Sequence, residues 1–391
     1  MESPDLRIHK LLTNQLGIEV GVISLNRPAA LNALNHSMID ALERQLHLWA
    51  SDDAIAMVII KGNGERGYCA GGDIKALHDD NSVTFLAKEY RLDFALYTYP
   101  KPIVHLMHGY VMGGGIGLMA SGALKLCIAD AVFAMPETAI GFFPDVGYRY
   151  QLARLPRGLG AWLGLTGAYF TPKLAQALHI VDHIIPKQDR NILVSHLYER
   201  VSQWREADGP IVDFVAKWAV EQAKTDVDIE YASEDDAFDL GGASWSDQPL
   251  LVPKAIHDWC DFYWDYPDVP WYDDLVALAK YYATTHPDLF TLDPRGIDHQ
   301  SPLSICMTDI MLKRSINHDL QKVFEEDYWL AAKLYKDGDL REGILAKVIE
   351  KREPKWRYSK EQLTSQLIAG FTPPAVIASV LRKKIVWGIT H

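Results

Sequence analysis

Two glycine-rich loops, each running from an apolar strand pattern into a helical one, constrain this 391-residue chain more than any other feature. The first is Arg66-Gly67-Tyr68-Cys69-Ala70-Gly71-Gly72-Asp73-Ile74-Lys75. The second is Gly109-Tyr110-Val111-Met112-Gly113-Gly114-Gly115-Ile116-Gly117-Leu118. Three glycines at a helix start cost conformational entropy and so need a reason. Close strand–helix packing is one. Another is a backbone N–H left open at a positive helix end, aimed at developing negative charge. Little side-chain bulk blocks approach to Gly71 and Gly72, although a turn serving chain reversal alone would read the same way. Two such loops together offer amide donors from separate elements, which is what an oxyanion hole requires. Phosphate cradling fits less well, because GxGxxG does not match and no Gly-Lys-Ser/Thr follows.

The surrounding pattern repeats strand, turn and helix. Residues 21–26 read as a strand ended by Arg27-Pro28, and 37–49 as a helix with Met38, Leu42, Leu46 and Trp49 on one face. A strand at 56–60 precedes the first glycine loop, and a helix is expected from about Asp73. A strand at 103–107 precedes the second loop, and short strands follow at 126–128 and 132–134. Strands alternating with helices predict an α/β fold, a sheet covered by helices. From about Pro186 helical patterns dominate, at 189–223 and again at 301–351. The expected organisation is a first region, 1–186, and a mostly helical region, 187–391. The stretch 225–300 is acidic and carries Trp245, Trp259, Trp264 and Trp271. It reads as packing material covering the first region, with a carbohydrate- or base-stacking surface as the alternative.

A third segment carries acids. Glu137 and Asp145 sit eight positions apart in Met135-Pro136-Glu137-Thr138-Ala139-Ile140-Gly141-Phe142-Phe143-Pro144-Asp145-Val146-Gly147. A carboxyl among Ile, Phe and Val resists ionising, which tunes it for proton transfer near neutrality. Loop acids that merely cap neighbouring helices are the competing reading.

Other chemistries find no support. The formal net charge of −12 argues against non-specific nucleic-acid binding, though local Lys and Arg can still hold a small anion. Cys69, Cys127, Cys260 and Cys306 are far apart with no CxxC, against a disulfide framework or structural zinc. GxSxG and HExxH are absent. His105 and His108 would point to opposite faces of a strand, against a shared metal. The N-terminal Met-Glu-Ser-Pro-Asp-Leu has no apolar run, and no window reaches the ~20 apolar residues of a membrane span. A soluble, cytoplasmic protein is expected.

Together, Leu25-Asn26-Arg27-Pro28, Asn32-Ala33-Leu34, Cys69-Ala70-Gly71-Gly72-Asp73-Ile74, the three glycines and Met135-Pro136-Glu137 resemble the enoyl-CoA hydratase/isomerase (crotonase) superfamily. Within it, the hydrolase branch that acts on 3-hydroxyisobutyryl-CoA is the most similar. Hydratases carry a glutamate where this chain has Gly117, and usually a glycine where it has Asp145. Ser301-Pro302-Leu303-Ser304, Asp339-Leu340-Arg341-Glu342-Gly343 and Pro354-Lys355-Trp356 resemble the hydrolases' late motifs. The likeness covers about 8–186 and 301–357.

The resemblance implies a spiral of ββα units with a helical C-terminal region. It implies Gly72 and Gly114 as oxyanion amides, Glu137 as principal catalytic carboxylate and Asp145 as its partner. Glu89 matches a further acidic pocket position. Gly71, Gly113, Arg27 and Lys75 fall at substrate-binding positions, the last two as charge partners of coenzyme A. The implied reaction is hydrolysis of a 3-hydroxyacyl-CoA in valine breakdown, with no cofactor beyond the coenzyme A of the substrate. The implied partner is that small molecule, not nucleic acid or membrane, and self-association is left open. An isomerase or hydratase using Glu137 alone, or a non-catalytic coenzyme A-binding or assembly protein, are the alternatives.

Overall fold

The computed structural model describes residues 3–79, 83–155, 159–187, 190–223, 290–291 and 297–377. The Trp-rich stretch 225–300 lies outside these except at 290–291 and 297–300, as does Cys260.

Eleven strands among the described residues form two sheets. The first has the order β1-β2-β3-β5-β7-β10: β1 (Leu6–Leu12), β2 (Glu19–Leu25), β3 (Ile55–Gly62), β5 (Ile103–Met107), β7 (Leu124–Ile128) and β10 (His183–Ile185). β1 pairs antiparallel with β2, and every later pairing in this sheet is parallel. The second runs β11-β9-β8-β6-β4: β4 (Gly67–Cys69), β6 (Tyr110–Met112), β8 (Val132–Ala134), β9 (Tyr169–Phe170) and β11 (Phe290–Thr291). Strands β3, β5 and β7 each lead into a short strand of the second sheet, β4, β6 and β8. Helices α1 (His36–Ala50), α2 (Ile74–Asp79), α3 (Thr84–Leu96) and α4 (Gly114–Ala120) punctuate the turns of this spiral.

The strands expected from sequence are present, those at 103–107 and 132–134 with the expected bounds and the other three one to three residues longer. β4 and β6 hide inside the glycine loops, where three residues are too few for an alternation to register. β1 follows no clean alternation: Leu6, Ile8, Leu11 and Leu12 are apolar, yet five of its seven residues are exposed at the sheet edge. The helix expected at 37–49 runs Asn35-capped from His36 to Ala50, with Met38, Leu42, Leu46 and Trp49 buried as expected.

Alternation along the central strands builds two cores. Val20 and Val22 face one side of the first sheet, Ile23 and Leu25 contribute to the other. The first side is covered by α8 (Arg190–Gln203) and α9 (Ile211–Ala223) through Leu193, Leu197, Val201, Val215 and Trp218. The larger core holds α5 (Arg149–Leu152), α6 (Leu159–Thr166) and α7 (Pro172–Ala177). It also takes Leu303, Met307, Met311, Phe324, Leu330 and Leu334 from α10 (Pro302–Ser315) and α11 (Leu320–Asp337). Apart from β11 the described elements after 187 are helical, in keeping with the mostly helical region expected, but they share both cores with those before it.

α12 (Leu340–Gly343) packs against the turn at Glu137–Ile140: a Cβ on Gly343 would fall 1.9 Å from the Ile140 carbonyl oxygen. α13 (Ser365–Phe371) closes the described chain against the same core.

Candidate active site

The two glycine loops are brought side by side. Leu34 stitches the first in place, its N–H donating to Gly71 O at 2.8 Å and its carbonyl accepting from Asp73 N at 2.7 Å. Gly71 adopts φ +103°, a conformation that only glycine takes easily, and a Cβ there would lie 3.3 Å from Gly114 N. Gly113, at φ +49°, precedes α4 and donates its N–H to Ala134 O at 3.3 Å. The Gly72 amide nitrogen is 3.2 Å from the point a Gly114 Cβ would occupy. Among the described residues, neither the Gly72 nor the Gly114 amide donates a hydrogen bond. Two adjacent open N–H groups from separate elements are the geometry of an oxyanion hole.

Carboxyls surround these amides. Glu89 Oε1 lies 2.1 Å from the Gly114 Cβ point, so Gly114 must lack a side chain for Glu89 to sit there, while at Gly72 the Phe85 ring, 2.7 Å from the Cβ point, leaves no room for one. Glu137 opens a short 3-10 turn, and its Oε1 is 2.9 Å from the Gly113 Cβ point. Asp145 accepts a short hydrogen bond from the Tyr90 hydroxyl rather than capping a helix. Asp93, one turn after Glu89 on α3, is fully buried, and neither of its oxygens has a hydrogen-bond partner in the protein. Sequence reasoning missed Asp93 and Tyr90. The available signal was a pair of acids four positions apart on the otherwise apolar face carrying Phe85, Leu86, Leu92 and Leu96.

Burial dominates the titration of all four acids. It lifts Glu137 well above the usual carboxylate range, with neighbouring Asp145 adding to the effect. Burial likewise raises Glu89, helped by Asp145, and Asp93, helped by Glu89 and Asp145. Asp145 is pushed up to about 8, mainly by burial, with the Tyr90 hydrogen bond pulling the other way and Asp327 pushing it further up. Asp145 thus exchanges its proton near neutrality, while Glu89, Asp93 and Glu137 hold theirs to higher pH than an ordinary carboxyl. They are not a metal centre: among the described residues no group of three or more His, Cys, Asp or Glu could hold an ion. Cys69 lies in the first loop, but burial pushes its thiol up to about 12, so it is no ready nucleophile. His105 Nδ1 lies 2.9 Å from the Tyr68 hydroxyl and His108 Nε2 2.9 Å from Gly64 O, in separate environments.

Arg27 and Lys75 are placed differently from the carboxyls. Arg27 donates to Asp73 Oδ2 at 2.9 Å and to Ala33 O at 2.7 Å, and its Nε is 3.6 Å from Asp5 Oδ2, so it ties the first loop to the N-terminus. Lys75 is exposed at the start of α2, on the loop's rim. The late motifs prove to be buttresses. Ser301 caps α10 by accepting from Ser304 N, and its hydroxyl donates to Asp339 at 2.6 Å. Glu342 accepts from Arg352 at 2.6 Å and from Lys355 N at 2.6 Å. Among the described residues, no helix is long and apolar enough to cross a membrane.

The enoyl-CoA hydratase/isomerase family model matches residues 20–239 and 282–371. The mitochondrial 3-hydroxyisobutyryl-CoA hydrolase of Xenopus laevis is 33% identical over 356 residues, covering 89% of this chain and 85% of the relative. The small ribosomal subunit protein mS47 of Neurospora crassa is 31% identical, covering 84% of this chain and 63% of that one. Among solved structures, a carnitinyl-CoA dehydratase from Mycobacterium thermoresistibile superposes with a TM-score of 0.71 at 26% identity, over 99% of both chains. A match over most of the chain, together with the open amide pair and its ring of carboxyls, places this protein in the enoyl-CoA hydratase/isomerase (crotonase) family.

Proposed function

We propose that this protein hydrolyses the thioester of a small 3-hydroxyacyl-CoA, with 3-hydroxyisobutyryl-CoA the leading substrate and valine breakdown the corresponding pathway. One observation carries this reading: Glu137 Oε1 is set beside the paired Gly72 and Gly114 loops, with Asp145 as a second carboxyl of the same group. The two amides polarise the thioester carbonyl and hold the oxygen that becomes negative on attack. Glu137 takes a proton from water as the water oxygen bonds to the carbonyl carbon, or attacks that carbon itself to give an anhydride that water then opens. In the first route collapse breaks the carbon–sulfur bond and the proton held by Glu137 goes to the departing thiolate; in the second that bond breaks as the anhydride forms, the thiolate takes its proton from solvent, and water then releases the acid and restores the Glu137 carboxylate. Asp145 holds the 3-hydroxyl of the acyl group. Arg27 and Lys75 lie near enough to the first loop to meet coenzyme A phosphates, Lys75 with the freer charge. The chemistry needs no cofactor besides the coenzyme A of the substrate.

The likeness to mS47 gives a second reading, a non-catalytic assembly protein on the same fold. Incubating the purified protein with a panel of acyl-CoAs and a thiol reagent separates the possibilities. Release of free thiol, fastest with 3-hydroxyacyl-CoAs, is the expected result. A change in acyl absorbance without thiol would indicate a hydratase or isomerase. No reaction with any thioester would favour the assembly reading.

A further inference from the structure

The turn that carries Asp145 is held in an unfavourable shape. Val146, directly after it, has φ +52°, and Gly147 has φ +71°. A β-branched residue in the left-handed region is a rare conformation, which persists only where its surroundings impose it. Here the surroundings come from α11, some 180 residues later in the chain. The Gly147 N–H donates to Asp327 Oδ2 at 2.9 Å, and Arg149 Nε donates to Asp327 Oδ1. Phe324 lies against Gly147 where any Cβ would collide with its ring, at 2.3 Å.

Arg149 is fully buried, and each of its nitrogens is engaged. Besides Asp327 it donates to Met311 O at 2.9 Å, Ser315 Oγ at 2.5 Å, Val323 O at 2.8 Å and Glu326 Oε2 at 3.1 Å. A buried ion pair of this kind adds little to stability over an apolar replacement, and its attested use is to fix one geometry. The geometry it fixes is two residues from Asp145.

We propose that Asp327, paired with Arg149, is a positioning residue for Asp145: it imposes the left-handed turn through Val146 and Gly147 and thereby sets where the Asp145 carboxyl meets the acyl hydroxyl. This rests on the functional reading above. The groups facing Asp145 are Tyr90, Glu89 and Asp93 from α3, Glu137 from its turn, and Asp327 with Arg149 behind the loop. Asp327 acts on Asp145 through the backbone and through its charge, which helps hold the Asp145 proton.

The test compares Asp327→Asn, Asp145→Gly and the double variant on a 3-hydroxyacyl-CoA and on the matching acyl-CoA without the hydroxyl. A misplacement of about 1 Å costs up to ~100-fold in rate, so Asp327→Asn should lower kcat/KM for the hydroxy substrate roughly 10- to 100-fold and for the plain substrate far less. In the Asp145→Gly background it should add almost nothing to the loss of discrimination, because it acts through Asp145. The pH midpoint assigned to Asp145 should move down in Asp327→Asn. If that variant is too unstable to purify, Ser315→Ala, which removes one contact of Arg149 and leaves the ion pair, should produce the same selective loss at smaller amplitude. Equal losses on both substrates, or equal losses with and without Asp145, would overturn the proposal and leave Asp327 merely structural. Failure of Asp145→Gly itself to discriminate the two substrates would overturn the functional reading instead, and the proposal with it.

Discussion

Asp93 Oδ2 lies 2.9 Å from the point that a Cβ on Gly117 would occupy, so the acid at 93 and the bare backbone at 117 are two halves of one arrangement. Among the described residues no cation acts on Asp93; burial, Glu89 and Asp145 govern its titration, all favouring the neutral acid. Asp93→Asn, which mimics that neutral form, should therefore keep or raise the melting temperature at pH 8. Gly117→Ala should cost roughly 1–3 kcal/mol, since the new methyl also meets Val146 Cβ at 2.7 Å. A clear drop in melting temperature for Asp93→Asn would show that the ionised acid is needed.

Gly114→Ala tests the amide pair. Its methyl would fall 2.1 Å from Glu89 Oε1 and 3.2 Å from Gly72 N, crowding the approach to both amides. Loss of one oxyanion donor costs about 10²–10³ in kcat, and a fall of that size is expected, with the fold retained by circular dichroism. Turnover within a few-fold of wild type would move the oxyanion site elsewhere.

Glu137→Gln preserves shape and removes the base or nucleophile. Turnover should drop by roughly two or more orders of magnitude, a typical loss for a general base, while coenzyme A binding persists. Stopped-flow or end-point thiol assays suffice, and activity close to wild type would reassign the residue.

The raised acids give the pH dependence a definite sign. Asp145 has a folded pKa of about 8 against an ordinary value of 3.8, so between these values the folded state holds the proton more tightly than the unfolded one. Its contribution to stability is complete below the lower value and disappears as pH rises through about 8, at ~1.4 kcal/mol per pH unit for one proton. Glu89, Asp93 and Glu137 shift the same way. Asp145→Asn should thus gain melting temperature relative to wild type as pH is raised from about 5 to 9. Activity, which needs Glu137 ionised, should climb toward alkaline pH, since burial raises that carboxyl. A melting-temperature difference that does not change with pH would contradict the protonated state of Asp145.

Much of the site was legible because it is built from backbone. Gly71, Gly72, Gly113 and Gly114 announce themselves in sequence: Gly71 and Gly113 take positive φ, and a Cβ on Gly72 or Gly114 would collide with Phe85 or Glu89. Glu137 was visible as a carboxyl in an apolar run. Asp93 was not, because its significance lies in what it fails to touch, and a helix face with one extra acid reads as ordinary amphipathicity. Asp327 and Arg149 were harder still: each looks like a surface charge until residues 178 positions apart are brought together. Short apolar runs gave the central sheet away, whereas the exposed edge strand β1 and the three-residue strands β4 and β6 carried too little pattern.

That separation has a consequence for the chain as it leaves the ribosome. Residues through His183–Ile185 suffice to lay down the six strands of the first sheet. The turn after Asp145 must then wait for synthesis of more than a hundred further residues before Asp327 arrives to hold it. Contacts that close such long loops form late and slowly. A nascent chain would therefore own the strands of its first sheet while the turn after Asp145 stayed unset until Asp327 had been made.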